Sequence, residues 1–221
     1  MLLMVNTKCY NFNSIKFKKG LLDSFVDATY VIHLLGNGRY SSVMEGLTKY
    51  KPTKNMFIVE NKGFKKCKKI LPHQAPGYDL IDAFLQIMKH AKLHNYDNIL
   101  ILEDDFMFSD DIKNTHTVNE IKQFITAYKN LELIYYFGCL PWMKINYMNN
   151  HQRILLSTGT HACIYSKNVR NSILKIKQSE IIDWDLFLNK NNYYRYCYYK
   201  PICHQYFPMT DNRTNWPNPL G

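Results

Sequence analysis

Apolar residues along the chain form short β-branched runs and helical stripes in alternation. Residues 29–34 and 55–60 are rich in aliphatic and aromatic side chains, which is typical of strands. A helix is predicted between them, from about residue 40 to residue 50. After Pro76-Gly77, apolar residues repeat at helical spacing and predict a second helix, with the stripe Leu80, Phe84, Ile87, Met88 and Ala91. The first half therefore has the strand–helix–strand order of a parallel α/β sheet.

The most informative stretch is Ile99–Phe106, in which four aliphatic residues precede three carboxylates. The aliphatic run predicts a strand that is buried on both faces. Three adjacent carboxylates, Glu103, Asp104 and Asp105, repel one another where that strand ends. A divalent cation would remove this cost, because such ions take oxygen ligands. The triplet therefore indicates a metal-assisted phosphate or nucleotide site, and the alternative is a solvated acidic turn.

The second half of the chain predicts a mixed arrangement. The spacing Thr117-x-x-Glu120 indicates a capping box that opens a helix. Strands are predicted at residues 133–139 and 193–199, and a strand pair around Gly159. Two further helices are predicted, one capped by Ser166 and a short one that opens at Asp183-Trp184-Asp185.

The fold class predicted from this order is α/β, with a mixed but mainly parallel central sheet flanked by helices in one domain. Residues 1–26 carry little pattern and are interpreted as an N-terminal extension. The domain then spans residues 27–221, with a nucleotide half at 27–108 and an acceptor half at 109–221. Its last part, Thr210–Pro219, is rich in turn residues.

Composition adds limited constraints. The chain has 221 residues, and its formal net charge of +10 suits an anionic ligand without naming one. Asn, Lys, Ile and Tyr are abundant, as an AT-rich genome would produce, so the charge is weak evidence for nucleic-acid binding. The six cysteines include no C-x-x-C pair, which argues against a zinc ribbon. All six are predicted to be reduced, and hence the compartment to be cytoplasmic. No apolar run is long enough to span a membrane.

Two sets of charged residues each have two possible interpretations. Asp79 and Asp82 lie in the first turns of the second helix, where acids complement the helix dipole; they are also candidates for contact with a nucleotide. The basic run of Lys62, Lys65, Lys66, Lys68 and Lys69 is either a solvated face or a patch that attracts phosphate. The solvated face is the favoured interpretation of the two.

The segment Leu102–Asp105 is similar to the acidic "DXD" motif of GT-A glycosyltransferases. The chain resembles in particular glycosyltransferase family 25, the lipopolysaccharide and collagen-type sugar transferases, over roughly residues 27–207. Residues 159–166 are similar to a later strand of that family that leads into a helix, and residues 182–185 to its acidic acceptor-side motif. The composition and small size suggest a version from a large DNA virus.

The resemblance implies a nucleotide-diphosphate sugar donor, with a UDP-sugar favoured, and Mn²⁺ or Mg²⁺. Asp105 is the first choice as a metal ligand, with Glu103 and the C-terminal His204 as further candidates. Glu103 or Asp104 would hold the ribose or a metal-bound water. The remaining donor contacts are expected from the opening strand, its following arginine and the second helix: Ile32, His33, Leu34, Arg39, Asp79 and Asp82.

The acceptor implied by the resemblance is a glycan or glycoprotein hydroxyl, and no nucleic-acid partner is expected. A base for that hydroxyl is needed if the configuration is inverted. The candidates are Asp183, which is favoured, and Asp185; the alternative role for both is capping of the following helix. Trp184 could stack on a sugar or lie in the core. Two other functions remain open: a metal-dependent nuclease or phosphotransferase, and a non-catalytic sugar-nucleotide-binding module.

Overall fold

The computed structural model describes residues 4–206, so the predicted turn-rich tail at 210–219 lies outside it. The strands are β1 (Tyr10–Lys16), β2 (Ala28–Leu34), β3 (Asn55–Asn61), β4 (Asn98–Glu103), β5 (Phe106–Phe108), β6 (Leu133–Met148), β7 (His151–Ser166), β8 (Tyr194–Tyr198) and β9 (Cys203–Gln205). The helices are α1 (Tyr40–Tyr50), α2 (Pro76–Leu93), α3 (Thr115–Ala127), α4 (Lys167–Ile173) and α5 (Trp184–Lys190). Along residues 4–206, none of the helices combines the length and apolarity needed to cross a bilayer.

The fold is α/β, and one sheet of seven strands runs in the order β1-β3-β2-β4-β7-β6-β8. The prediction of a mainly parallel sheet was wrong, because the sheet is mixed. The pairs β2/β3, β2/β4 and β6/β8 are parallel, whereas β1/β3, β4/β7, β6/β7 and β7/β8 are antiparallel. One physical reason is the tight hairpin between β6 and β7, which returns the chain antiparallel and so reverses β7 relative to its partners. The other is β1, which joins the edge of the sheet antiparallel to β3.

Strand β4 separates the two halves of the core. Its residues alternate between the two faces: Ile99 and Ile101 pack with α2, α4 and α5, whereas Leu100 and Leu102 pack with α1 and α3. All four side chains are buried. This alternation follows from the two-residue period of a strand, and it explains why an uninterrupted aliphatic run is needed here. The prediction of a central buried strand at 99–102 is confirmed.

The starts of α4 and α3 test the two N-caps that the sequence predicts. Ser166 caps α4 as predicted, since its hydroxyl accepts the N–H of Val169. The predicted capping box at Thr117 was wrong, because Asn114 is the N-cap of α3 and accepts the N–H groups of His116 and Thr117. Glu120 instead accepts hydrogen bonds from Asn150 and Tyr198. Asn and Thr are both good N-caps, so the pattern alone did not separate them.

The hairpin of β6 and β7 is longer than predicted. Each strand has 16 residues, and they pair from Ile134/Tyr165 to Met148/His151 with several register shifts. Residues 141–148 are all exposed. We call residues 140–158 the hairpin arm. On the β6 side, residues 141–148 lack a buried face, which is the signal by which strands are recognised in a sequence.

The N-terminal segment joins the sheet edge, where β1 pairs antiparallel with β3. Just before β1, Cys9 forms a disulfide with Cys67, and their Cα atoms are 5.7 Å apart. The prediction that all six cysteines are reduced was therefore wrong, and the inference of compartment that depended on it loses its basis. The two partners lie 58 residues apart in the sequence, so their spacing carried no signal.

Candidate functional site

The carboxyl ends of the parallel strands β2, β3 and β4 meet at one edge of the sheet. A cavity of about 440 Å³ opens there, next to the start of α2. Ligands of open α/β sheets bind at this edge, and the volume is in the range of small-molecule sites. Its lining includes the predicted metal ligand Asp105 and several residues predicted as donor contacts: Ile32, Leu34, Arg39, Asp79, Glu103 and Asp104.

Asp104 is held by the loop that follows β2. Its Oδ2 lies 2.9 Å from Nδ1 of His33 and accepts hydrogen bonds from Asn37 Nδ2 (2.7 Å) and the Leu34 N–H (3.3 Å). Its Oδ1 accepts from the Arg39 guanidinium at 2.8 Å. Burial alone would raise the pKa of Asp104, but the hydrogen bonds from His33, Asn37 and Arg39 lower it below the ordinary value. Asp104 is thus a charged anchor that fixes the β2 loop to the triplet.

Asp105 is held differently, by the C-terminal strand. Gln205 in β9 donates to Asp105 Oδ2 at 2.9 Å, and the Tyr206 N–H donates to the Asp105 carbonyl at 2.9 Å. The other oxygen, Oδ1, is buried and has no hydrogen-bond partner among the described residues. Burial raises the pKa of Asp105, and the neighbouring Asp104 charge adds to this effect. A buried oxygen without a partner is costly, so this atom is a candidate ligand for a cation.

Asp185, unlike Asp183, acts electrostatically on Glu103, although it is not among the residues that line the cavity. The Asp185 Oδ2 accepts the N–H of Gly159 at 2.8 Å, and its Oδ1 is a second buried oxygen without a partner among the described residues. Burial raises the pKa of Asp185 to about 6. The pKa of Glu103 is raised well above its ordinary value. Burial is the largest cause, and the nearby charges of Asp105 and Asp185 add to it. Three carboxylates therefore share one desolvated region.

Asp183 and Trp184 have structural roles. Asp183 is exposed, and its carboxylate caps α5 by accepting the Leu186 N–H at 2.8 Å. Trp184 is only 4% exposed, stacks on Phe84 and donates its indole N–H to the Tyr165 hydroxyl. Trp184 thus lies in the core, which is the second of its two predicted roles. Asp183, which the sequence favoured as the base, is the N-cap of α5.

His204 and Asp105 are not brought together. His204 pairs with Met107 in the β5/β9 ladder, and both residues are exposed. Adjacent residues of a strand project to opposite faces, so the Gln205 side chain, which contacts Asp105, points away from that of His204. Gln205, the neighbour of the predicted ligand His204, therefore contacts Asp105 of the triplet.

Asp79 and Asp82 belong to a buried polar network next to the cavity. The Lys69 ammonium, whose side chain is 1% exposed, donates to Asp79 Oδ1 (2.5 Å), Asn61 Oδ1 (2.5 Å) and the Tyr10 hydroxyl (2.7 Å). The Tyr10 hydroxyl in turn donates to Asp82 at 2.7 Å. Because Asp79 and Asn61 line the cavity, the network fixes two groups of its wall.

Lys69→Met should lower the free energy of unfolding by about 3–5 kcal/mol, because it leaves the buried Asp79 charge without its partner. Urea unfolding at neutral pH measures this. The control is Lys68→Met at the exposed neighbouring position, for which a change within about 0.5 kcal/mol is expected. Equal losses in both variants would mean that the Lys69 network does not stabilise the fold.

The other members of the basic run divide between surface and cavity. Lys62, Lys65 and Lys66 are exposed and also line the cavity, whereas Lys68 is exposed outside it. Lys62 donates to the Lys8 carbonyl at 2.8 Å. The cavity therefore has carboxylates on one side and ammonium groups at its rim, a distribution that suits a ligand carrying phosphates together with a cation.

The residues of this site fit a metal ion only in part. Within residues 4–206, no group of three or more His, Cys, Asp or Glu side chains is placed to hold a metal by itself. The unpartnered Oδ1 of Asp105 nevertheless fits a cation that is bound partly by the protein. Mg²⁺ commonly binds through one or two carboxylates and takes its other ligands from substrate phosphates and water.

Sequence reasoning missed Asn37, Asn61, Lys69 and Gln205. Asn37 lies in the turn Gly36-Asn37-Gly38, and the proximity of that turn to the triplet follows from the parallel pairing of β2 and β4. Lys69 had no distinguishing signal within its basic run. Gln205 is 100 residues from Asp105 in the sequence, and only the β5/β9 pairing connects them.

Comparisons with known proteins give little guidance. No protein-family model and no curated protein matches the chain. Among solved structures, the crystal structure of A197 from STIV is similar with a TM-score of 0.46 and 12% sequence identity, over 82% of this chain and 86% of that chain. The chemistry proposed below therefore rests on the residues of the site.

Proposed function

We propose that the protein is a metal-dependent glycosyltransferase that moves a sugar from a nucleotide-diphosphate sugar to a hydroxyl of a glycan or glycoprotein. The observation that carries this proposal is the cavity at the ends of β2, β3 and β4, where Glu103, Asp104 and Asp105 face a rim that includes Lys62, Lys65 and Lys66. The proposal includes a GT-A-like fold and a UDP-sugar as the favoured donor.

Asp105 would hold the metal ion through Oδ1, together with oxygens of the diphosphate. A bound Mn²⁺ or Mg²⁺ supplies Lewis-acid stabilisation of the negative charge on the leaving nucleotide. Asp104 keeps its charge and orients the β2 loop through His33 and Arg39. The rim lysines attract the diphosphate and balance its charge.

Asp185 replaces Asp183 as the proposed base. Its carboxylate is buried beside Glu103, and its pKa of about 6 leaves it mostly deprotonated at neutral pH yet basic enough to accept a proton. General bases work best with a pKa near the operating pH. In an inverting reaction, Asp185 would take the proton of the acceptor hydroxyl as the oxygen attacks the anomeric carbon.

The experiment that tests this function is a screen of nucleotide sugars for metal-dependent hydrolysis, since water can replace the acceptor. We expect release of the nucleoside diphosphate from at least one sugar donor with Mn²⁺, and none with EDTA. Absence of release for every donor would contradict the proposal. The control is Asp105→Asn, which removes the proposed metal ligand and should be inactive.

A metal-dependent nuclease or phosphotransferase is the second candidate, and one observation favours it: Asp185 joins Asp104 and Asp105 as a third acid near Glu103. That function predicts thermal stabilisation by oligonucleotides with Mn²⁺. The glycosyltransferase predicts stabilisation by nucleoside diphosphates with Mn²⁺, and none by oligonucleotides. Melting curves with both ligands distinguish the two functions.

Gln205→Ala should weaken Mn²⁺-dependent UDP binding by about 10- to 100-fold, the usual cost of losing a residue that orients a metal ligand. The reason is that Asp105 loses the hydrogen bond that fixes its carboxylate. Calorimetric titration measures the affinity, and the control His204→Ala removes the exposed neighbour. A loss in His204→Ala alone would instead support the original prediction of an imidazole ligand.

A further inference from the structure

The hairpin arm presents a tryptophan to solvent close to the proposed base. Trp142 is 65% exposed, and the neighbouring Met143 is 55% exposed. Large apolar side chains that cluster on a surface commonly mark a binding site. Residues 4–206 include two tryptophans, Trp142 and Trp184. Because Trp184 is buried in the core, Trp142 is the tryptophan of this range that can stack on a ligand.

The Trp142 ring is fixed although it is exposed. Its indole N–H donates to the Thr158 hydroxyl at 2.9 Å, across the hairpin from β6 to β7. A rigid aromatic face can bind a ligand without losing much side-chain entropy. The fixed orientation distinguishes Trp142 from the exposed aliphatic residues of the arm, such as Met143 and Ile145.

Trp142 is connected to Asp185 by consecutive hydrogen bonds. Thr158, which holds the indole, directly precedes Gly159, whose N–H donates to Asp185 Oδ2 at 2.8 Å. With ordinary backbone dimensions, the indole nitrogen lies within about 10 Å of the Asp185 carboxylate. A short saccharide spans such a distance, so one unit could reach Asp185 while another covers the ring.

The charge of the arm argues against a nucleic-acid ligand. Between residues 140 and 158 the charged side chains are Lys144 and Arg153, and the segment has no acid. A nucleic acid would require more cations along its path. The C–H groups on one face of a sugar ring suit the negative face of an indole, while the sugar hydroxyls remain in water.

We propose that Trp142 is an acceptor subsite, on which a sugar ring of a saccharide acceptor stacks while a hydroxyl of that saccharide reaches Asp185. This inference rests on the proposed function, since it names the acceptor as a saccharide rather than a protein hydroxyl. Thr158 is a positioning residue, because it holds the indole and does not itself touch the sugar.

The test is saccharide binding in the absence of donor, on a glycan array and then by titration of the best-bound glycan. Trp142→Ala should weaken binding about tenfold, and Thr158→Val less. Met143→Ala is the matched control on the same arm and should bind like the wild type. Trp142→Ala should keep its melting temperature, because the side chain is exposed.

Three results would overturn the inference: no glycan bound by the wild type, equal binding by Trp142→Ala, or equal losses in Trp142→Ala and Met143→Ala. Loss of self-association in Trp142→Ala without a change in glycan binding would assign the arm to a contact between copies instead. Failure of hydrolysis in the wild type would contradict the proposed function, whereas the array tests the subsite separately.

Discussion

Asp105→Asn is expected to reduce Mn²⁺-dependent binding of UDP by at least about 100-fold, since even residues that only orient a metal ligand cost 10- to 100-fold. The amide keeps the size of the side chain and can still accept the hydrogen bond from Gln205. It removes the charge that a hard cation requires. Calorimetric titration of UDP with and without Mn²⁺ measures the effect.

The fold should survive this change, and the melting temperature of the metal-free protein should not fall. Burial and the neighbouring Asp104 already disfavour the charged form of Asp105, so neutralising it removes an unfavourable interaction. The control is Asp110→Asn, because the Asp110 side chain is 79% exposed and lies outside the cavity lining. Unchanged affinity in Asp105→Asn would exclude Asp105 as a ligand.

Asp185→Asn is expected to slow sugar transfer by about 10²- to 10⁴-fold, the range that general-base catalysis contributes. Donor binding should be retained, because Asp185 is proposed to act on the acceptor. The matched control is Asp183→Asn, two residues away. Asn is nearly as good an N-cap as Asp, so this variant should keep its stability and transfer at the wild-type rate.

The pH profile gives an independent test of the same residue. Because Asp185 must be deprotonated to accept a proton, transfer should rise with pH through about 6 and level off above it. In Asp185→Asn the residual rate should lose this rise. Wild-type rates in both Asp185→Asn and Asp183→Asn would mean that the two aspartates are structural. The base would then lie elsewhere, or the enzyme would retain configuration.

The first half of the fold could be predicted from the sequence because its signals are local. The helix predicted at 40–50 matches α1, and the strands predicted at 29–34 and 55–60 match β2 and β3 to within one residue at either end. In β4, the aliphatic run is a direct consequence of burial on both faces. The position of the acid triplet at its carboxyl end then follows from the chain itself, since the carboxylates are the next residues.

The parts that could not be predicted depend on contacts between distant segments. The carboxylate close to Glu103 is Asp185 rather than Asp183, and Asp185 is held by Gly159, which is 26 residues away in the sequence. The buried state of Lys69 depends on Tyr10, which is 59 residues away. The sheet is mixed partly because of the β6/β7 hairpin, in which residues 141–148 of β6 are exposed and therefore lack the pattern of a half-buried strand.

The most direct test of the central claim is an anomalous difference map from crystals grown with UDP and Mn²⁺. The account predicts one strong manganese peak within coordination distance of Asp105, with the diphosphate in the cavity between the triplet and the lysines of the rim. A manganese peak away from Asp105, or UDP bound outside this cavity, would contradict it.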